Sequence, residues 1–404
     1  MITEGARAQN VEVPPAPDQR ALPTGDFVEA DTRAQAATQR RLRYSLGVTV
    51  RTVYDDNINI SSFDRQSDVY TTVEPTLNLG FGDAENNFLA LTYSPSGYFF
   101  ASHSENNAIQ QSISLNGQYR FPRVTLAFGE EIQILDGTNL NAAGGTGTDF
   151  TRTNLDVAGR TKLNTYSTRL NANYSLTGKT FLTAGLNYNA SDYASLISSS
   201  VVSGNVYFNY TYSPKLALGV GATAGYDSVD APSDDQTFEQ INFRASYELT
   251  GKVSASFSAG FEFRQVANGG NDNGSPVFDG TLFYQPFDGT SLSLTLARRT
   301  QNSATLAGQN FHSTSATLSA RQRFLQRLYL GLSVGYENSS YFTTTSGFDS
   351  NRSDDFFFLQ ASVDFDLTTF WTIGLYYFYR ESDSSLGFFS FYDNQIGLRT
   401  SIRF

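Results

Sequence analysis

From residue 42 to the last residue, apolar and polar side chains alternate along the chain. In the segment 326–340 the even positions from Leu328 to Tyr336 are apolar, whereas the odd positions are charged, small or carry a hydroxyl group. Successive side chains of a β-strand point to opposite faces of the sheet, so a period of two indicates a strand with one apolar face. The pattern therefore predicts an all-β protein.

Segments with this alternation are separated by turn-forming residues. Eighteen strands are predicted, at 42–54, 68–82, 86–100, 107–121, 123–136, 162–177, 179–192, 201–213, 214–226, 236–250, 252–267, 276–286, 288–300, 311–325, 326–340, 353–368, 369–382 and 391–404. Most are longer than the roughly 5–6 residues of an average strand in a soluble sheet. All reach the roughly 9–11 residues that a tilted strand needs to cross a bilayer.

The connections between these segments alternate between short and long. The short ones include "LTGK" at 176–179 and again at 249–252, and the longest of the others is the Gly- and Asn-rich stretch 137–161. This separation is typical of transmembrane barrels, whose periplasmic turns are short and whose extracellular loops are long. Backbone groups in lipid must pair internally, so the strands have to close into a cylinder. We therefore expect a transmembrane, antiparallel, up-and-down β-barrel rather than a soluble sandwich.

The two ends of the alternating region fall on the side of the short turns. The last segment ends in Phe404, with Ile402 and Leu398 on the same apolar face. We predict that these three residues form the signal by which the outer-membrane assembly machinery recognises the barrel. Residues 1–40 are rich in Pro, Ala and Gln and are predicted to be a flexible periplasmic segment before a barrel domain at 41–404. A bacterial outer-membrane location is expected, although no signal peptide is visible in this sequence.

Composition supports the membrane interpretation. Charged residues make up 17% of the chain, against about 25% in typical soluble proteins, and aromatic residues make up 14%. A net charge of −11 argues against nucleic acid as a partner, because phosphate binding needs a basic surface. There is no cysteine and no apolar run of the length of a transmembrane helix.

Charged side chains inside the strands are expected to face the lumen. Placing one on the lipid face costs about 2–4 kcal/mol at mid-depth. The residues predicted to line a pore are Arg120, Arg169, Arg244, Glu248, Glu262, Arg264, Arg299, Arg321, Arg323, Glu337, Arg380 and Arg399. The excess of arginine predicts a lumen that favours anionic solutes, unless the charges merely pair to brace the wall.

Two further features bear on transport. Alternation also directs seven aromatic residues inward, where they are candidates to stack on sugar rings: Tyr98, Phe100, Tyr207, Tyr329, Phe358, Tyr376 and Phe378. The stretch 137–161 is the third long loop. It either folds into the barrel as a constriction or remains a surface loop.

Candidate catalytic residues are few. His103 and His312 fall near the extracellular rim, where the acidic pairs at 55–56, 234–235 and 354–355 are also expected. The histidines belong to unrelated loops, and no acidic spacing matches a dedicated metal-binding loop. We therefore expect no enzymatic activity, no cofactor and no dedicated metal site. Carboxylates at the rim are expected to share divalent cations with lipopolysaccharide at most.

Three stretches resemble one known family. They are "LGVTVRTVYDDNINISS", "LNTYSTRLNANYSLTGKT" and the closing "NQIGLRTSIRF". They are similar to the putative β-barrel porin 2 group over roughly 42–404. This resemblance implies an outer-membrane channel associated with exopolysaccharide export, with periplasmic export components as possible partners. Two functions stay open: a channel for hydrophilic solutes or an exported polysaccharide, and a structural or assembly-partner barrel plugged by its loops.

Overall fold

The computed structural model describes residues 42–83, 86–137, 156–157, 159–345 and 352–404. These residues form one closed sheet of eighteen strands. The strands are β1 (Leu42–Asp55), β2 (Asp68–Gly82), β3 (Phe88–Phe100), β4 (Ala108–Arg120), β5 (Val124–Asp136), β6 (Lys162–Ser175), β7 (Thr180–Tyr193), β8 (Ser199–Ser213), β9 (Leu216–Val229), β10 (Gln236–Thr250), β11 (Val253–Val266), β12 (Asn273–Phe287), β13 (Thr290–Asn302), β14 (Gln309–Phe324), β15 (Leu328–Thr343), β16 (Ser353–Asp366), β17 (Trp371–Ser384) and β18 (Phe391–Arg403). Short 3-10 turns lie at Ser104–Asn106, Ala267–Gly269 and Gly387–Phe389.

Each strand pairs antiparallel with the next one along the chain, and β1 pairs with β18 to close the barrel. The predicted fold is therefore confirmed, and no predicted strand boundary differs from the observed one by more than three residues. The seam extends beyond the last strand, because the backbone N–H groups of Leu46 and Phe404 each donate to the other residue's carbonyl oxygen. No helix in the part of the chain that the structure describes has the length and apolar character to cross a bilayer.

The two faces of the wall differ as the alternation requires. The outer face carries exposed apolar side chains from top to bottom, such as Leu186, Leu318 and Leu398, which are 60%, 53% and 63% exposed. Polar, charged and small residues occupy the opposite face. Exposure of a continuous apolar band is unfavourable in water, so this surface is suited to a hydrocarbon environment.

The barrel has a short-turn end and a long-loop end, and these names are used below. Both ends of the described chain, at Leu42 and Phe404, lie at the short-turn end. The inner faces of the strands at the long-loop end are buried, including residues such as Phe378, Gln395 and Asp227. The interior of that half is therefore filled, and the side chains that fill it form the candidate site.

Candidate functional site

The upper part of the β13–β14 hairpin separates from the neighbouring strand β12. The β12–β13 ladder ends at the pair Phe278 and Arg298, whereas the two strands continue to Asn273 and Asn302. Pairing between β13 and β14 continues without interruption up to Asn302 and Asn310. The upper part of the hairpin, residues 299–313 with its tip at 303–308, has therefore separated from β12, whereas β14 stays paired with β15 up to Gln309 and Thr343. We call residues 299–313 the hairpin plug.

The outer face of the hairpin plug packs on the inner face of β9–β12. The Asn302 amide donates to Asp227 Oδ1 at 2.7 Å. The Asn310 amide donates to Gln236 Oε1, also at 2.7 Å, and Gln236 donates back to Asn310 at 3.2 Å. These partners lie on the inner face of the wall, so the plug lies inside the barrel.

The tip of the plug reaches loops from other parts of the wall. The N–H group of Ile197, between β7 and β8, donates to Ala304 O at 2.9 Å, and the Gly308 N–H donates to Ser233 Oγ at 3.0 Å. Ala304 also belongs to a buried apolar cluster with Leu135, Val157, Leu163 and Tyr193. The tip thus spans the mouth from β13–β14 toward β5–β8.

Asp156 joins this tip to the far rim. Its carboxylate accepts hydrogen bonds from the Ser303 hydroxyl at 2.8 Å and from the Ala304 N–H at 2.7 Å. It also forms an ion pair with Arg352 at 2.7 Å and accepts a bond from the Tyr341 hydroxyl at 2.8 Å. Asp156 follows β5 along the chain and Arg352 precedes β16, so this one buried carboxylate ties together three separate loops.

The charge of Asp156 is matched by Arg352, which is itself buried. Arg352 forms a second ion pair with Asp354, at 2.6 Å, and its guanidinium stacks on the Phe389 ring at 3.5 Å. Burial alone would lower the pKa of Arg352, but the bonds to Asp354 and the nearby Asp156 carboxylate raise it instead. The guanidinium is therefore charged at every physiological pH.

The stretch 137–161 was predicted either to constrict the barrel or to form a surface loop. Most of it, residues 138–155 and 158, lies outside the described residues. Its last part, Asp156 and Val157, is buried against the tip of the plug. Among the described residues, the long element that reaches into the mouth is the β13–β14 hairpin. Its alternation is that of a wall strand, and nothing in the sequence distinguishes it as a plug.

The predicted inward aromatic residues do face the interior, but they are covered. Five of the seven belong to one buried apolar cluster at the long-loop end, with Val53, Ile58, Tyr70 and Phe356: Tyr98, Phe100, Phe358, Tyr376 and Phe378. The other two are also occupied, because Arg244 stacks on Tyr207 at 4.1 Å and Arg321 on Tyr329 at 4.9 Å. The five clustered residues therefore have no free face for a sugar ring in this structure, whereas stacking of sugars on Tyr207 and Tyr329, which are half-buried, stays a prediction.

The charged residues predicted to line a pore all lie on the face opposite the apolar rows, but three are sealed. Arg264 forms ion pairs with Asp227 at 2.8 Å and with Glu262 at 3.1 Å, beside the plug. Arg380 pairs with Asp393 at 2.7 Å. Glu262, Arg264 and Arg380 are at most 5% exposed, so they brace the wall here and do not contact a water-filled channel.

The remaining predicted residues lie nearer the short-turn end or the lumen. Arg120, Glu248 and Arg299 are exposed, Arg323 is half-buried, and Glu337 accepts a hydrogen bond from Ser313 at 2.7 Å. Arg169 lies 3.8 Å from Glu131, and Arg399 forms a tight pair with Asp364 at 2.5 Å. Their role in a pore stays a prediction.

Arg244 lies flat against a row of glycines on β9. Its Nε donates to Asn209 at 2.8 Å and its guanidinium donates to Thr183 at 2.9 Å. A Cβ atom at Gly219 would lie 3.0 Å from the Arg244 Cγ, and one at Gly221 would lie 2.4 Å from the Tyr207 ring. The glycines thus make room for the arginine and its stacked ring, because any larger residue would push them into the lumen.

Acidic residues on the inner face offset the arginines. Besides Asp227 and Asp393, the inner face carries Glu74, which pairs with Arg51 at 2.9 Å, Glu131 and Asp364. The predicted excess of positive charge is therefore smaller than the arginines alone suggest, and the preference for anions stays a prediction.

The candidate catalytic residues are not brought together. His103 contacts Asp68, with 3.0 Å between Nδ1 and Oδ2, in the turn after β3. His312 lies on β14, stacked on Phe342 with ring centres 4.6 Å apart. The acidic pairs are engaged locally: Asp234 accepts from Thr345 at 2.8 Å, and Asp355 accepts from Tyr336 and Asn338 on the outer face. No shared catalytic geometry results among the described residues.

The predicted assembly signal occupies the outer face of the last strand. Leu398 and Phe404 are 63% and 74% exposed, and Ile402 lies between them on the same face. Their recognition by assembly machinery stays a prediction. The predicted flexible segment 1–40 lies outside the described residues.

The putative beta-barrel porin 2 family matches residues 46–404. The chain belongs to this family. It is a family of porins, not of enzymes, which agrees with the scattered histidines and with an outer-membrane location. No curated protein sequence matches the chain.

Solved structures with a similar architecture are outer-membrane barrels of very different sequence. OccAB4 of Acinetobacter baumannii is 8% identical with a TM-score of 0.46, and the match covers 90% of this chain and 98% of that one. OccK2 (OpdF) of Pseudomonas aeruginosa, solved with glucuronate, is 10% identical with a TM-score of 0.46 and the same coverage. OpdK of the same organism is 12% identical with a TM-score of 0.43, again with 90% and 98% coverage. Similarity of this degree says nothing about what this chain carries.

Proposed function

We propose that this protein is a gated outer-membrane channel for hydrophilic solutes or an exported polysaccharide, closed in the observed state by the hairpin plug. The observation that carries the proposal is that the upper hairpin has parted from β12 and contacts the inner face of β9–β12 through hydrogen bonds between side chains, while β14 stays paired with β15. The channel opens when the hairpin returns to the gap beside β12. The short-turn end then faces the periplasm and the long-loop end faces the exterior.

The chemistry of the plug interface supports movement. The contacts with the wall are made by pairs such as Asn302 with Asp227 and Asn310 with Gln236. Water can replace each partner when the surfaces separate, so the neutral Asn310–Gln236 pair contributes about 0.5–1.5 kcal/mol net and the bond to the Asp227 carboxylate about 1.5–3 kcal/mol. Ala304 at the tip belongs to a buried apolar cluster, whereas the side chains that bond the plug to β9–β12 are polar and can be hydrated on release.

The cargo follows from the lining of the barrel. The inner face of β9–β12 near the plug is largely polar, charged or aromatic, with Asp227, Gln236, Phe238, Arg264 and Ser275, and carries a few buried valines. Such a surface suits hydrophilic molecules. Passage of an exported glycan requires the whole plug to move, whereas passage of a small solute requires only part of the plug to move. Lipopolysaccharide, the outer-membrane assembly machinery and, for a glycan, periplasmic export components are the partners that this function implies.

A structural barrel is the second candidate. The buried ion pairs of Arg352 with Asp156 and with Asp354 favour it, because they hold the mouth closed. In that case the plug never leaves, and the barrel serves as an attachment or assembly partner with no transport.

A disulfide across the plug separates the two candidates. Because the chain has no cysteine, Ile197→Cys and Ala304→Cys can be combined in a background without competing thiols. Their backbones are joined by a hydrogen bond of 2.9 Å, which places them within reach of a disulfide. The single-cysteine variants are the matched controls.

The measurement is channel conductance in planar bilayers under oxidising and reducing conditions. A gated channel predicts openings for the reduced double variant and both controls, and their loss only when the double variant is oxidised. Silence of every form under both conditions, with the barrel folded, would contradict the gated channel and favour the structural barrel.

A further inference from the structure

The seam that closes the barrel contains a compact group of carboxylates at the long-loop end. Asp55, the last residue of β1, is paired with Gln395 of β18, and Asp393 lies two residues from Gln395 on the same face. Asp56 follows directly. Asp55, Asp56 and Asp393 each place a carboxylate oxygen within 4.8 Å of the others. Asp55 and Asp393 are completely buried.

Two arginines compensate part of this charge. Arg65 pairs with Asp56 at 2.9 Å, and Arg380 pairs with Asp393 Oδ2 at 2.7 Å. Asp55 receives only neutral donors, the Asn57 N–H at 2.8 Å and the Gln395 amide at 3.0 Å. Three carboxylates therefore share two directly paired guanidinium groups among the described residues, and two of these carboxylates, Asp55 and Asp393, have no exposure to solvent.

Independent evidence for a missing partner comes from two oxygen atoms. Asp393 Oδ1 and Gln395 Oε1 are buried and receive no hydrogen bond, although both residues are 0% exposed. The Gln395 amide bonds to Asp55 and to Asp393, each at 3.0 Å, so its oxygen belongs to the same group. Buried polar atoms in native proteins are almost always satisfied, and an orphaned one is costly. Both orphaned atoms can only accept, so the partner has to be positively charged or a donor.

We propose that Asp55, Asp56, Asp393 and Gln395 bind a calcium ion at the seam. Calcium takes carboxylate and amide oxygens at 2.3–2.6 Å, and two such bonds end to end match oxygens up to about 4.8 Å apart. Magnesium requires shorter bonds and a stricter octahedron. The competing arrangement is a proton shared between Asp55 and Asp393. Such a proton can satisfy Asp393 Oδ1 but leaves Gln395 Oε1 without a partner.

The position of the site gives the ion a structural consequence. It joins the first strand to the last at the end of the barrel where the loop 56–67 begins. Asp56 is also tied to β18, because its carboxylate accepts from the Asn394 N–H at 2.8 Å. A cation here strengthens closure at the one ladder whose strands are far apart in the sequence.

The test uses the full chain refolded in detergent without lipopolysaccharide, treated with chelator and desalted. Calcium binding is measured by isothermal titration calorimetry, and thermal unfolding is followed by circular dichroism with and without calcium or magnesium. Asp393→Asn removes the charge of a ligand, and Asp55→Asn is the second variant, in case the first does not fold. Asp383→Asn is the matched control, since Asp383 is an exposed acid at the same end of the barrel.

The expected result is one calcium per barrel, with an unfolding midpoint several degrees higher in calcium than in magnesium. Either ligand variant should weaken binding by at least about tenfold, as loss of even an outer-shell partner does. Asp383→Asn should bind as the unmodified chain does. Absence of a calcium effect on the unmodified chain would overturn the site. So would an Asp55→Asn variant that is more stable than the unmodified chain without calcium at neutral pH, because that is the behaviour of a shared proton.

Discussion

Removal of the Asp156 carboxylate should unlock the mouth of the barrel. Six hydrogen bonds from described groups end on this side chain, from Ser303, Ala304, Tyr341, Arg352 and two groups of Thr305. Asp156→Ala leaves the guanidinium of Arg352 with Asp354 as its acidic partner. The tip of the plug then loses its only described anionic anchor.

The size of the effect follows from the burial of the pair. Asp156 is 1% exposed and Arg352 is 3% exposed. Breaking a buried ion pair by removing one partner costs about 3–5 kcal/mol. When the mouth opens, water solvates part of the groups that lose their partner. We therefore use the lower figure for the loss in stability of the closed state relative to the open state. At 1.4 kcal/mol for each factor of ten, about 3 kcal/mol raises the ratio of open to closed channels by about a hundredfold.

Single-channel recording in planar bilayers measures this ratio directly. Asp355→Ala is the control, since Asp355 bonds to Tyr336 and Asn338 on the outer face of the same rim. Heat-modifiable migration on gels reports whether each barrel is folded. The reasoning is refuted if folded Asp156→Ala and the unmodified chain have the same open probability, because the anchor would then not hold the plug.

Three further outcomes are expected. Phe404→Ala should lower the yield of assembled barrel in cells several-fold and leave refolding in detergent unchanged. The reason is that the Phe404 ring is 74% exposed and its bonds to Leu46 across the seam are made by the backbone. Equal losses in both assays would indicate a role in stability instead. Gly374→Ala should lower the midpoint of thermal unfolding, because the added Cβ would lie against Asp364 Oδ1 and 2.9 Å from Arg399 Nε and would separate that ion pair. Overpacking of this kind costs about 1–3 kcal/mol. An unchanged midpoint would contradict this packing. Reversal potentials in a salt gradient should show a weak anion preference for open channels, and a cation preference would count against the predicted lumen.

The arrangement of charges in the lumen shows where prediction from the sequence stops. Alternation placed Arg264, Arg380 and Arg399 on the inner face, because a charged side chain cannot face lipid cheaply. It could not predict their acidic partners. Arg264 pairs with Asp227 and Arg399 with Asp364, and the two residues of each pair are 37 and 35 positions apart along the chain. Such partners depend on register and shear, which a single strand does not encode.

The plug was missed for a related reason. Residues 299–302 and 309–313 alternate like the wall strands around them, so their sequence predicts a strand and not where that strand lies. Pairing between β13 and β14 is local and was predicted correctly. The break between β12 and β13 depends on contacts of Asn302, Asn310 and Ala304 with β9, β10 and the loop before β8, which lie far away along the chain.

The sequence by itself determined the number of strands, their limits, their two faces and the separation of short turns from long loops. These features depend on neighbouring residues and on the contrast between lipid and water, so the period of two is sufficient to predict them. Only the tertiary structure decided that the upper β13–β14 hairpin packs on the inner face of β9–β12, that Asp156 anchors its tip, and that acidic residues pair with several of the arginines. Those features arise where distant segments meet, and the same alternating pattern is compatible with an open pore or a filled one.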